Sequence, residues 1–370
     1  MYDAPKRLLT VICTLFFALW CASALAQSSD ALPINADTVS RLRSALTIDF
    51  DTQPAPATGL MASGWLRLNV DGQYLVGASR EQHMIVWDTT DGEIVGSYQI
   101  VAGDGRPMNF FDASWAVQSP VLHTLHGDGQ RFVVGVYDIA QGELTHIVNI
   151  PLDDAIPVRV WADDDALSTW VEVIPNNPND APYILNLALA DGQVLQRLPS
   201  VAEADRTSQV RLGRMPAPLA ITAAPDGTVH LWDLELGEQL ATANVAVMPA
   251  FGHMNGANQD WLAWRDPMSE ALYLLNFATG QNQQVARLDG QYVQGLLLGS
   301  AADVMVGVNV DFAPVVVAWE VASGEMLSLG EYRSCGRTPD MIQMNHDGTV
   351  LAIGCDTGFD IWRVERDAAE

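Results

Sequence analysis

The phrase Val86-Trp87-Asp88-Thr89-Thr90-Asp91-Gly92-Glu93 constrains this 370-residue chain more than any other feature, because the chain keeps repeating it. An apolar residue, an aromatic and an acid lead into a Gly-Glu turn, the pattern of one strand ending and the next beginning. Close copies are Val136-Tyr137-Asp138 with Gly142-Glu143, Leu231-Trp232-Asp233 with Gly237-Glu238, and Ala318-Trp319-Glu320 with Gly324-Glu325. Weaker ones are headed by Leu187 with Gly192, Leu275 with Gly280, and Trp362 with Asp367 in the glycine's place. The aligned positions 87, 137, 187, 232, 275, 319 and 362 lie 50, 50, 45, 43, 44 and 43 residues apart.

Short strands separated by turn residues fill each interval in groups of four. A single small sheet cannot bury both of its faces, so the seven must stack around an axis. The chain therefore reads as all-β, a seven-bladed β-propeller of four-stranded antiparallel blades. The blades fall near 65–101, 112–150, 158–198, 209–245, 251–288, 294–332 and 340–364. Up to Val364 the seventh has three strands, whereas Ser44 to Phe50 alternates like a strand and belongs to no blade. This N-terminal strand, about 44–50, is expected to complete the last blade, closing the ring and covering a sheet edge.

Residues 1–26 read as an export signal. Lys6-Arg7 gives a positive start, Leu8 to Trp20 an apolar run, and Ala24-Leu25-Ala26 a cleavage site ahead of Gln27. A retained membrane anchor is the alternative, but the run is short for a spanning helix. Trp20 precedes Cys21 where a lipoprotein signal wants a small residue. The expected location is thus secreted or periplasmic. In the leader, 27–43, Asn35 or Asp37 can cap a short helix through Leu42. Removing the signal leaves Cys335 and Cys355, which in an exported chain allow one disulfide, with two buried thiols as the alternative.

The net charge is −26 and the only lysine is Lys6. A surface so poor in cations suits neither nucleic acid nor anionic lipid, so no nucleic-acid partner and no membrane insertion after signal removal are expected. An acidic, well-solvated, monomeric protein is expected instead.

The repeated apolar-x-Trp-Asp-x-x-x-Gly-Glu phrase, with an upstream Asp-Gly turn, resembles the WD-repeat family over about residues 44–364. The segment from Asn35 to Phe50 followed by repeats looks like the opening of the exported bacterial members. The resemblance implies repeated structural roles for Trp87, Asp88, Tyr137, Asp138, Trp232, Asp233, Trp319, Glu320 and Trp362. It also implies a scaffold for protein interaction. The Gly-His pair that many members carry before each first strand does not recur from blade to blade, and three of the seven third strands lack the aromatic–acidic pair. Propellers of the quinoprotein and lactonase type share the architecture.

Chemistry-bearing residues do not converge in the sequence. His123 and His126 are three apart, which on a strand puts them on opposite faces. Asp163-Asp164-Asp165 lacks the glycine and distal glutamate of a calcium loop and reads as a solvated turn. There is no nucleophile elbow, phosphate-cradling loop or CxxC, so no catalytic residue, metal ligand or cofactor is expected. Asp88 and Asp233 read as turn-fixing acids.

The loops joining second to third strands, and fourth to next first strands, open on one face of a propeller. They hold Arg80, Glu81, Asp104, Arg106, Asp180, Arg206, Arg265, Asp266, Asp311 and Asp356, and with them the longest insertions. Polar loops on a rigid scaffold are where binding residues gather. Two readings stay open: an exported, non-enzymatic scaffold binding a protein or cell-envelope partner on that face, and an enzyme or small-ligand protein with its site at the channel mouth.

Overall fold

The computed structural model describes residues 31–53, 66–79, 81–116, 119–162, 167–177, 180, 183–199, 209–212, 219–223, 227–233, 236, 238–245, 256–257, 261–266, 269–310, 315–334, 339, 341–355 and 357–366. Among them, 28 strands form seven four-stranded sheets, each antiparallel throughout.

The first strand is β1 (Leu42–Asp49). Blade one holds β2 (Arg67–Leu68), β3 (Tyr74–Ala78), β4 (Met84–Asp88) and β5 (Ile94–Tyr98). Blade two holds β6 (Asn109–Trp115), β7 (Val121–Gly127), β8 (Phe132–Asp138) and β9 (Glu143–Asn149). Blade three holds β10 (Ala155–Ala162), β11 (Ser168–Pro175), β12 (Tyr183–Ala188) and β13 (Val194–Pro199). Blade four holds β14 (Gln209–Leu212), β15 (Leu219–Ala223), β16 (Thr228–Asp233) and β17 (Glu238–Asn244). Blade five holds β18 (Gly256–Ala257), β19 (Trp261–Asp266), β20 (Ala271–Asn276) and β21 (Asn282–Arg287). Blade six holds β22 (Val293–Leu298), β23 (Val304–Asn309), β24 (Val315–Glu320) and β25 (Met326–Glu331). Blade seven holds β26 (Met341–Met344), β27 (Val350–Gly354) and β28 (Gly358–Val364), with β1 as its outer strand.

The N-terminal strand therefore closes the ring, running from Leu42↔Val364 to Asp49↔Gly358. It starts two residues earlier than the alternation suggests and ends one earlier, because Phe50 opens a short 3-10 turn (Phe50–Thr52). The helix expected in the leader is only a 3-10 turn, Val39–Arg41. Asn35 Oδ1 accepts there from Asp37 N and Thr38 N.

Period-two alternation sends each blade's side chains into two seams. In blade one, Leu75, Ile85 and Trp87 face blade seven, whereas Val76, Met84 and Val86 face blade two. Matching cores join blades two to three, four to five, five to six and six to seven. The N-terminal segment serves both seams of blade seven. Ile34, Val39 and Leu42 pack towards blade six, while Ile48 and Phe50 pack towards blade one. Phe50, Trp87 and Phe359 form an aromatic cluster with centroids 5.4–5.9 Å apart.

Every outer strand carries a bulge against its third strand. In blades one to four and seven it sits beside the aligned repeat position, as between Val86 and Trp87 and between Ile361 and Trp362. In blades five and six it comes two residues earlier. A bulge twists an exposed edge and spoils it as a template for another chain. β1 carries the bulge in the same place as true fourth strands do, although it comes from the other end of the sequence.

Candidate functional site

The repeated phrase is architectural. Trp87, Trp319 and Trp362 are at most 1 % exposed and Tyr137 is 3 % exposed, each within a core between blades. Trp232 is half-buried beside His230. The acids that follow hold the turns. Asp88 Oδ1 accepts from Thr90 N at 2.7 Å, Asp138 Oδ1 from Ala140 N at 2.9 Å, and Asp233 Oδ1 from Leu236 N at 2.9 Å. Glu320 accepts from the Ser323 hydroxyl. Gly92, at φ +78°, lies against Ile48 of β1, so the turn glycine of the first repeat also seats the closing strand.

The first strands line the axis, and their polar groups bracket neighbouring blades. Gln343 donates to Leu66 O and accepts from Leu68 N. Arg67 pairs with Asp112 at 3.2 Å, and Asp112 Oδ2 accepts from Val160 N at 3.2 Å. Arg159 lies 3.5 Å from Glu172, whose pKa burial pushes up against the opposing pull of Arg159. Among the described residues no three His, Cys, Asp or Glu gather in a group that could hold a metal. His123 and His126 are both buried on β7 and point apart. His123 Nδ1 meets Thr169 Oγ1 of blade three at 3.1 Å, whereas His126 packs on Phe110 within its own blade. Burial pushes the His126 pKa down to about 3, with the Met108 main chain opposing, so the ring is neutral. The Asp163 to Asp165 turn lies outside the described residues.

On the loop-rich face, Glu81, Asp104, Arg106 and Asp180 are exposed. Asp104 and Arg106 form the tip of a small hairpin whose base, Ile100, Ala102 and Met108, is buried against Val133. Hydrogen bonds from the Arg106 main chain and guanidinium hold the Asp104 carboxyl below its ordinary pKa. Arg80, Arg206, Asp311 and Asp356 lie outside the described residues. Arg265 and Asp266 are a correction. They are the last residues of β19, only 9 % and 8 % exposed, because Asp266 still pairs with Ala271. Arg265 donates to Val293 O and Asp266 accepts from Ser269.

Backbone conformation marks this face in a way the sequence hides. Among the described residues five non-glycine residues have positive φ, and four of them are here: Gln82 (65°), Asp154 (53°), Glu270 (53°) and Asp289 (48°). Side chains disfavour that region, so the surrounding structure must hold them in it. Three do so by tying a second-to-third-strand loop to the segment after an outer strand or to the first strand that follows it. Gln82 Oε1 accepts from Phe110 N at 2.8 Å. Asp154 O and Oδ1 accept from Asn176 N and Nδ2 at 3.0 and 2.9 Å. Glu270 O and Oε2 accept from Leu288 N and Gly290 N at 2.8 and 3.1 Å. In blade seven Thr357 Oγ1 donates to Ser334 O at 2.7 Å. Beside it Cys355 is disulfide-bonded, its Sγ 3.5 Å from Ser334 O, while Cys335 lies outside the described residues.

A groove of about 460 Å³ lies elsewhere, on the outer wall between β25 and β1, floored by Trp362 and Leu329. Among the described residues no helix is long and apolar enough to cross a membrane.

No family model matches the chain, and no curated protein matches it in sequence. Solved structures match in fold, 1635 chains in all, so the architecture alone does not narrow a function. One is the β-propeller domain of Cps50 (Swd1) from Myceliophteria thermophila, at a TM-score of 0.57 and 13 % identity, covering 88 % of this chain and 100 % of that one. With the seven described sheets, that likeness makes the fold a seven-bladed β-propeller whose third strands carry a WD-repeat-like phrase.

Proposed function

We propose that this chain is an exported, non-enzymatic scaffold that binds a protein or cell-envelope partner on its loop-rich face. The observation that carries the reading is the set of left-handed residues locked between loops on that face. Strain held by cross-loop hydrogen bonds is a cost to folding, and it leaves the loops rigid before a partner arrives. The propeller fold suits an interaction scaffold in general. Export is supported by the signal-like residues 1–26 and by a disulfide-bonded cysteine, which persists in oxidising compartments. We assign Cys335 as the partner of Cys355.

Site-specific photo-cross-linking in the host tests the reading. A cross-linker at Asp104 or Asp154 should give discrete protein adducts, and one at Asp91 or Gln141, exposed on the opposite face, should not. Adducts from the opposite face alone would refute it.

A further inference from the structure

The platform between blades five and six has a feature no other part of the described surface has. Tyr292, immediately before β22 at the channel mouth, is 48 % exposed, the only Phe, Trp or Tyr among the described residues to stand so far out. It is also firmly mounted. The Arg265 guanidinium lies 5.5 Å from the ring centroid, and Arg265 itself is 9 % exposed, so a buried cation backs the ring on its protein side. Arg265 Nη1 donates to Val293 O at 3.3 Å, and Tyr292 O accepts from Val310 N at 3.1 Å. The adjoining loop is fixed by Glu270, through Leu288 N and Gly290 N, and by Gln291, which accepts from Asn309 Nδ2 at 3.1 Å. An exposed aromatic on an immobile support is the usual centre of a protein interface, since docking it orders nothing further.

The charges around it select the partner. Glu270 and Asp289 are exposed on the loops adjoining Tyr292, and Arg287, at the end of β21, is the one exposed base on residues 261–298. The whole chain carries −26, so acidic proteins, anionic lipid and a second copy of this chain are all repelled at long range. A lysine or arginine is attracted by the total field, by the two carboxylates and by the exposed tyrosine ring.

We infer that Tyr292 anchors the docking of a basic protein segment, with a cationic side chain of the partner seated against Tyr292 between Glu270 and Asp289. This rests on the loop-rich face being the binding face, and it names the point on that face and the chemistry of the partner.

The test is the affinity of a labelled dodecapeptide alternating lysine and leucine for the full folded chain, by fluorescence anisotropy at two salt concentrations. Tyr292→Ala should weaken binding by about tenfold, whereas Tyr292→Phe should retain it. Glu270→Gln with Asp289→Asn should weaken binding and flatten its salt dependence. Glu143→Gln with Glu238→Gln, exposed acids at turns of the opposite face, removes as much charge and should change neither. Circular dichroism checks that each variant stays folded. Equal losses from both charge-neutralised pairs would mean diffuse attraction and would overturn the inference, as would unchanged affinity in Tyr292→Ala. If Asp104→Asn with Asp154→Asn weakens binding while the Tyr292 variants do not, the Tyr292 site is wrong and the face is right. If only opposite-face variants weaken it, both are wrong.

Discussion

Asp360 is the group whose removal should damage the ring closure most. It is fully buried on β28 and gathers four donors from two distant parts of the chain. Oδ2 accepts from Arg333 N at 2.7 Å, Ser334 N at 3.0 Å and Ser334 Oγ at 3.0 Å, all on the segment leading into blade seven. Oδ1 accepts from the Thr47 hydroxyl of β1. Asp360→Ala deprives two backbone amides and two hydroxyls of a charged acceptor. A hydrogen bond to a charged group is worth about 1.5–3 kcal/mol, and an abandoned buried donor costs about 1–3 kcal/mol. Thr47 is exposed and Ser334 half-buried, so water can replace part of the loss. The expected destabilisation is therefore about 3–5 kcal/mol rather than the full sum. Urea unfolding followed by tryptophan fluorescence at neutral pH gives the number. A double-mutant cycle with Thr47→Val should return a coupling of about 1–2 kcal/mol, since the two residues touch. A loss below about 1 kcal/mol, or zero coupling to Thr47, would show that the carboxylate does not join the two ends of the chain.

Three further outcomes are expected. Gly92→Ala, whose new Cβ would run into Ile48 Cδ1, should cost more than Gly142→Ala, which at φ +69° has nothing within 4 Å and should lose only about 1–2 kcal/mol; equal losses by urea titration would mean that the first turn does not seat β1. His126, with its folded pKa near 3 against 6.5, contributes stability that is fully present above pH 6.5 and lost as the pH falls towards 3. The loss should reach about 4–5 kcal/mol at pH 3, and His126→Phe should flatten that part of the pH–stability curve. Reducing the disulfide of Cys355 should lower stability by about 3 kcal/mol, the value for a closed loop of about 20 residues. Peptide mapping of the unreduced chain should return Cys335 joined to Cys355.

What the sequence revealed and what it hid divide along physical lines. The third strands were legible because most blades reuse one aromatic and one turn, as at Trp87, Tyr137 and Trp319. The closure was legible because Ser44 to Phe50 alternates while belonging to no blade. Boundaries slipped where a strand met a loop: Arg265 and Asp266 were assigned to the loop, yet cross-strand pairing carries β19 through Asp266. The outer-strand bulges are matters of register, and no residue type announces them. The strained loop residues were hidden for a related reason. Glycine and asparagine advertise a left-handed turn, whereas Gln82 and Glu270 adopt it only because neighbouring loops hydrogen-bond to them there. Tyr292 was one aromatic among many until its exposure and the Arg265 beneath it were seen.

The central claim is that the N-terminal strand is the outer strand of the last blade, and a cross-link across that pair tests it most directly. Arg43 and Arg363 are register partners on β1 and β28, and paired strand positions place Cα atoms within disulfide reach, about 4.5–5.5 Å. Arg43→Cys with Arg363→Cys should oxidise to one intramolecular bond in the native chain, identified by mass spectrometry. The same pair should stay largely reduced when oxidation is attempted in denaturant. A native chain that fails to form the 43–363 bond, or forms it no faster folded than unfolded, would contradict the closed ring.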